Sequence, residues 1–369
     1  MATCSFAARS WVIRRWLRDL TEHSYFSCTE VELSPKDPKL LVQPAPLLKQ
    51  PLTTAKAMGD VAFALAPATL AGVWFFGLGA LLIVSAGIAG AVLTEWLFSP
   101  PGQRRVKLLD GSGLITGLLL GLSLPPGLPL WMAFLGGVVS IGLGKLIWGG
   151  LGYNLFNPAL VGRAFLLATF PVAMTTWNAH SGDFFAVPAS VLALPFLQAA
   201  YDGMSAATPL GMMKFESQST PLWDLVIGKT SGCIGETSGL LLVLGGVYLL
   251  LRRDLDWRIP ASILLSVAAF SLPLFLIDPT GYPDPLFSLF SGGLLLGAIY
   301  MATDPVTSPI TPKGAWIFGV GVGLLVVLIR VFGGFPEGVM YAILLMNAAT
   351  PLIDRYTQPR VFGKGIKAP

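Results

Sequence analysis

Between residues 58 and 355 the chain is broken into apolar runs whose lengths leave room for one class of structure. They lie near 60–77, 79–98, 111–124, 130–148, 158–174, 237–252, 259–277, 285–302, 314–332 and 337–353. Crossing the hydrocarbon of a bilayer takes about 20 apolar residues as a helix. Backbone in lipid has to satisfy its own hydrogen bonds, so helices and closed barrels alone can cross. Runs of this length predict an all-α polytopic membrane protein with about ten transmembrane helices. Only 12% of the 369 residues are charged, well under the quarter usual in soluble domains.

Two runs are shorter than a full crossing. "GSGLITGLLLGLSLPP" and "PLFSLFSGGLLLGAIYMATDP" both finish at proline and read as discontinuous helices. Each stands third in a set of five. Ser112-Gly113-Leu114 with Gly117 parallels Gly292-Gly293-Leu294 with Gly297, and "NPALVGR" is related to "NAATPLIDR". An odd number of spans per set sends the second set in from the opposite face. The expected architecture is therefore two inverted five-helix repeats with discontinuous third helices. The segments are an N-terminal arm over 1–57, a first repeat over 58–174, an outer loop over 175–236, a second repeat over 237–355 and a tail over 356–369.

Charge orients this arrangement. With the N-terminus in the cytoplasm, 20 of the 24 Lys and Arg residues fall in cytoplasmic segments, as the positive-inside rule requires. Both termini are then cytoplasmic, and the 175–236 loop faces outward. In the arm, "SWVIRRWLRDL" has the spacing of an interfacial helix, with a cleaved presequence as the competing reading, and a proline-rich linker follows it. Apart from that arm the chain offers no basic face, so no nucleic-acid partner is expected. Cys4, Cys28 and Cys233 make no C-x-x-C pair, and His23 and His180 are isolated. A metal centre, cluster or haem ligated by this chain alone is not expected.

The outer loop holds the one stretch that departs from this apolar pattern, "DGMSAATPL". Asp202, Ser205 and Thr208 recur at steps of three. Gly203, Ala206 and Ala207 are small and leave the Thr208 hydroxyl room, and Pro209 ends any helix arriving there. An acid and a hydroxyl beside an open threonine suit enzymatic modification of that threonine. An ordinary polar turn is the other reading.

The pattern Asp-x-x-Ser-x-Ala-Thr, carried by Asp202, Ser205, Ala207 and Thr208, resembles the flavin-attachment motif of the NqrB/RnfD family of membrane subunits. "GDVAFALAPATLAGVWFFG", "TEWLF", "DGSGLITGLLLGLSLPP", "YNLFNPALVGRAFL" and "GAIYMATDPVTSPITPKG" are similar to the same family, from about residue 40 to the C-terminus. The "ATPL" ending and the chain length are more similar to the Rnf branch than to the sodium-pump branch. The resemblance implies FMN esterified through its phosphate to Thr208 by a separate flavin transferase. It also implies a place among other iron–sulfur and flavin subunits of an Rnf complex in the bacterial inner membrane. Such a complex passes electrons between ferredoxin and NAD and couples this to movement of Na+ or H+.

Some relatives hold a second, unattached riboflavin. Asn154 and Asn157 are the candidates for it, with Asn347 in the corresponding place of the other repeat. The stronger reading of Asn157 is a cap on a helix starting at Pro158. Glu95, Asp60, Asp110 and Asp304 sit at cytoplasmic span ends and are candidates for an ion pathway. Glu95 lies near a helix C-terminus, where an acid calls for a cationic partner. Arg163, inside a span, needs an acid or a phosphate. Glu236 and Thr237 are placed to cap the sixth span. A solute channel or secondary transporter without flavin is the alternative function, since inverted repeats with broken helices serve transport in their own right.

Overall fold

The computed structural model describes residues 53–102, 104–177, 184–185, 187–195, 207–228, 230–279 and 281–359. The N-terminal arm with its interfacial-helix and linker expectations, and most of the C-terminal tail, lie outside the described residues, as do Asp202 and Ser205.

The described residues contain helices and no strand. The principal helices are α1 (Thr54–Phe76), α2 (Leu78–Phe98), α3 (Ser112–Leu122), α4 (Leu130–Ile141, continued as a π-turn over Gly142–Leu146), α5 (Pro158–Thr169), α6 (Gly239–Arg252), α7 (Arg258–Ile277), α8 (Leu294–Leu296, continued as a π-turn over Gly297–Met301), α9 (Pro312–Phe332) and α10 (Val339–Thr357). Four of them, α1, α2, α7 and α9, are long and apolar enough to cross a membrane. Helices α3 to α6 are apolar but shorter. Eleven-residue α3 rises only about 16 Å, half the hydrocarbon thickness.

Local sequence explains where these helices start and stop. Thr53 caps α1, its hydroxyl accepting from the Lys56 N–H at 3.3 Å. Gly77, with φ of 75°, breaks the chain between α1 and α2, a conformation that a side chain would strain. Pro158 and Pro312 stand at the first positions of α5 and α9, where a missing N–H costs nothing. Ser238, not Glu236 or Thr237, caps α6 by accepting from the Leu241 N–H. Glu236 instead closes a single 3-10 turn over Ile234–Glu236. The chain can begin α6 only after this turn, so the serine that follows it becomes the cap.

The closest helix packing is α2 against α4 and α7 against α9. Around these pairs α3 lies on α2 and on α5, α8 lies on α7 and on α10, and α5 and α10 follow α4 and α9. Helix α1 packs on α6, and α5 on α10. Leu65, Ile83, Leu120, Leu122, Ile263 and Phe318 are fully buried at the centre. Outward faces carry exposed Leu70, Trp74, Leu276, Ile277 and Phe332. Large apolar side chains in that number on the outside suit a lipid surrounding rather than water. The protein is a multi-pass membrane protein.

Candidate functional site

Alternation of the helices puts Glu95, Asp60, Asp110, Lys145 and Asp304 at the end of the bundle where α1 begins. Glu95 is 2% exposed, one of the most buried acids among the described residues. Lys145, on the π-turn of α4, donates to Glu95 Oε1 and to Ser112 Oγ, the latter at 2.6 Å. The Ser112 hydroxyl in turn donates to Asp110 Oδ1 at 2.6 Å. Asp110 also accepts from the Ser112 N–H at 2.9 Å, so it satisfies a first-turn amide of α3. The cationic partner expected for Glu95 is thus Lys145, which the sequence does not single out. Its only signal is a lysine inside an otherwise apolar run.

Asp60 is engaged elsewhere. It accepts from Arg252 at 3.0 Å and from the Tyr248 hydroxyl at 3.0 Å, tying α1 to α6. Asp304 is half-buried in the loop after α8, accepting from the Val306 N–H and the Thr307 hydroxyl. Burial raises its carboxyl above the ordinary range, and the two hydrogen bonds only partly offset that. The four acids therefore do not form one cluster: Glu95 and Asp110 are joined through Lys145 and Ser112, whereas Asp60 and Asp304 have partners of their own.

Asn154 and Asn157 flank the entry to α5. Asn157 caps that helix, accepting from the Ala159 N–H at 3.0 Å, and its amide donates to the Met301 carbonyl at 2.9 Å. Both ends of its amide are in use. Asn154 donates to the Phe156 carbonyl, and its Oδ1 is buried without a partner among the described residues. Asn347 on α10 is fully buried, and neither Oδ1 nor Nδ2 has a partner among the described residues. A cavity of about 450 Å³ has both Asn154 and Asn347 in its wall, with Thr307, Thr350 and Asp354. A second cavity of about 110 Å³ carries Asn154, Asn157, Ser112, Lys145, Asp254 and Asp304. Typical ligand pockets run to roughly 300–1,000 Å³. The roomier cavity is the one whose wall holds both Asn154, with its unpartnered Oδ1, and Asn347.

Thr208 lies at the opposite end. The sequence predicted an open hydroxyl. Instead Thr208 is 6% exposed, and its Oγ1 accepts from the Gly211 N–H at 3.1 Å. The chain turns helical at Pro209, and the first-turn amides draw the nearest hydroxyl inward as a cap. Ala207 beside it is exposed. The following π-turn is anchored by Lys214, whose ammonium donates to the Arg330 and Gly333 carbonyls at the end of α9. Partial burial lowers the Lys214 ammonium below its ordinary range. Leu210, Met213, Leu225 and Phe287 form a small apolar cluster under this segment.

Beneath it lies an ionic group that sequence reasoning only half anticipated. Arg163 finds its acid in Glu337, donating at 2.6 Å, and also reaches Cys233 Sγ at 3.3 Å. Cys233, Glu236 and Glu337 bring their ligand atoms within 4.8 Å of one another. Burial, more than the Glu337 charge, raises the Glu236 carboxyl, and burial likewise holds the Cys233 thiol well above its usual range. With Arg163 already seated among them, these groups carry their own counter-charge.

A family model described as the NQR2, RnfD, RnfE family matches residues 41–363. The chain is 42% identical over 339 residues to the D subunit of the ion-translocating oxidoreductase complex of Stutzerimonas stutzeri, an alignment covering 85% of this chain and 93% of that protein. It is 41% identical over 321 residues to the D subunit of the proton-translocating ferredoxin:NAD(+) oxidoreductase complex of Clostridium ljungdahlii, covering 84% and 92%. It is 40% identical over 328 residues to the D subunit of the Na(+)-translocating ferredoxin:NAD(+) oxidoreductase complex of Acetobacterium woodii, covering 88% and 95%.

Proposed function

The chain belongs to the NQR2, RnfD, RnfE family, and from that premise we propose that it is the D subunit of an Rnf-type complex. In this reading it carries electrons on FMN esterified to Thr208, within a complex that couples ferredoxin:NAD(+) electron transfer to ion movement. The observation that carries the reading is the relationship itself, about two-fifths identity along nearly the whole length of three such D subunits.

The structure fits the cofactor in part. Thr208 sits at the start of a helical turn, with a backbone N–H already directed at its hydroxyl oxygen. Such a position favours a phosphate. Bound flavin would supply one- and two-electron redox chemistry. This chain's share is to hold the cofactor at the outer surface on a segment pinned to α9 through Lys214. A second, unattached riboflavin is assigned to Asn154 and Asn347, whose unpartnered atoms, Asn154 Oδ1 and both amide atoms of Asn347, match the donors and acceptors of a flavin ring edge. Asn157, with its amide fully used, is a structural cap.

Two inverted five-helix repeats account for the packing. The pairs α2–α4, α4–α5, α2–α3 and α3–α5 recur as α7–α9, α9–α10, α7–α8 and α8–α10, and α3 and α8 are the short third members. The family relationship points to the bacterial inner membrane, and the Lys and Arg distribution favours both termini on the cytoplasmic side. The other Rnf subunits, a flavin transferase and membrane lipid are the partners.

The test is flavin fluorescence of the chain after SDS denaturation, with mass spectrometry of the peptide from Tyr201 to Lys214. A mass increase of FMN less water on Thr208 is expected. Thr208→Ala should abolish the fluorescence while the protein still inserts. An unmodified peptide from cells with an active transferase refutes the cofactor assignment and turns attention to solute flux.

A further inference from the structure

Lys145 stands between a buried carboxylate and a cavity. It is 4% exposed, and Glu95 is 2% exposed. Lys145 lines the 110 Å³ cavity together with Ser112, Asp254 and Asp304, whereas Glu95 does not reach it. The second Glu95 oxygen packs on Gly113, so closely that a Cβ at that residue would fall 2.2 Å from Oε2. The carboxylate therefore lies over the first turn of α3, where unpaired amides favour an anion. Asp110 and Lys107 are the remaining charged groups that act on it.

This pair is not what packing alone would select. A buried ion pair contributes little beyond what two apolar side chains would give. Lys145 also sits on a π-turn, a local widening of the helix that recurs at functional sites. Its flexible stem has other acids within the same cavity wall, Asp304 and Asp254. The Glu95 carboxylate, by contrast, is fixed by α3, and among the described residues Lys145 is the one cation bonded to it.

We propose, resting on the ion-translocation reading above, that Lys145 is a tethered counter-ion which a small monovalent cation, Na+ or H+, replaces at Glu95. The arriving cation enters by the cavity. The lysine ammonium leaves Glu95 for the Asp304–Asp254 side as the cation binds, so one positive charge exchanges for another and the buried carboxylate is never bare. Return of the lysine expels the cation. Lys145 is then the positioning residue that sets both the affinity of the site and its release.

The experiment uses the whole complex in proteoliposomes, read as cations moved per NADH formed. Sodium is titrated at fixed pH, and pH is titrated without sodium, which separates the two cations. Lys145→Gln removes the competitor, so the half-saturating cation concentration should fall by about tenfold while the maximal rate of translocation falls as well. Glu95→Gln with Lys145→Gln keeps a neutral, hydrogen-bonded pair and should move no cation. An unchanged cation dependence in Lys145→Gln overturns the proposal. If that variant fails to assemble, the double variant decides, because translocation at the wild-type ratio would make the pair merely structural. A wild-type complex that transfers electrons and moves no cation overturns the translocation reading itself.

Discussion

Gly90→Ala tests whether the α2–α4 contact is as close as the structure makes it. Helices in lipid gain little from apolar burial against each other and rely on close approach through small residues. A Cβ added at Gly90 would lie 2.2 Å from the Phe134 carbonyl oxygen and 3.0 Å from its carbonyl carbon. Ordinary contacts begin at 3.4 Å. The obstacle is backbone held within α4, so no rotamer change relieves it, and the two helices have to separate by about 1 Å. Overpacking of this kind costs about 1–3 kcal/mol. Alanine returns about 1 kcal/mol of helix propensity. The net expectation is a loss of up to about 2 kcal/mol.

Gly59→Ala is the control. Gly59 lies in α1, and nothing comes within 4 Å of its added Cβ, so only the favourable propensity term applies. The assay is thermal loss of the monodisperse peak in detergent chromatography. The propensity term is common to both, so the two variants should differ by the overpacking cost, about 1–3 kcal/mol, or roughly 2–6 °C. Because α2 carries Glu95 and the α4 π-turn carries Lys145, Gly90→Ala should also loosen that ion pair and lower the number of cations moved per NADH. Gly90→Ala melting with Gly59→Ala, or above the parent, would refute the close contact.

Further outcomes follow from the same structure. Arg163→Gln removes the cation that is bonded to Glu337 and acts on Glu236 and should destabilise the protein by about 3 kcal/mol in the same melting assay. Asp304 has a carboxyl raised by burial, so the folded state binds its proton more tightly than the unfolded state does. Stability should then fall as pH rises from the ordinary aspartate value, about 3.9, to the raised one, and level off above it. Asp304→Asn should lack this decline, measured as the difference in melting temperature between the two proteins across pH 4 to 7.

The positions of the helices were legible in the sequence. Each apolar run is matched by helix, the two short runs by α3 and α8, and Pro158 marks a start that proline geometry dictates. These features depend on hydropathy and backbone propensity, which act over a few neighbouring residues. Arg163 and Glu95 were likewise marked by local context, since a charge in an apolar run has to find an opposite charge.

The identity of the partner was not legible. Lys145 meets Glu95 from 50 residues away, Asn157 meets Met301 from 144, and Arg163 meets Glu337 from 174. Which side chains converge is decided by how α2 crosses α4 and how α5 faces α8 and α10, and no local pattern encodes a crossing. The same holds at Thr208. Sequence marked the residue, but its inward, capping hydroxyl results from the turn at Pro209 and its seat on Leu210 and Phe287. Sequence determined which residues are charged, hydroxylated or small within an apolar chain; tertiary packing decided which of them are paired and which polar atoms, Asn154 Oδ1 and both amide atoms of Asn347, are buried without a partner among the described residues.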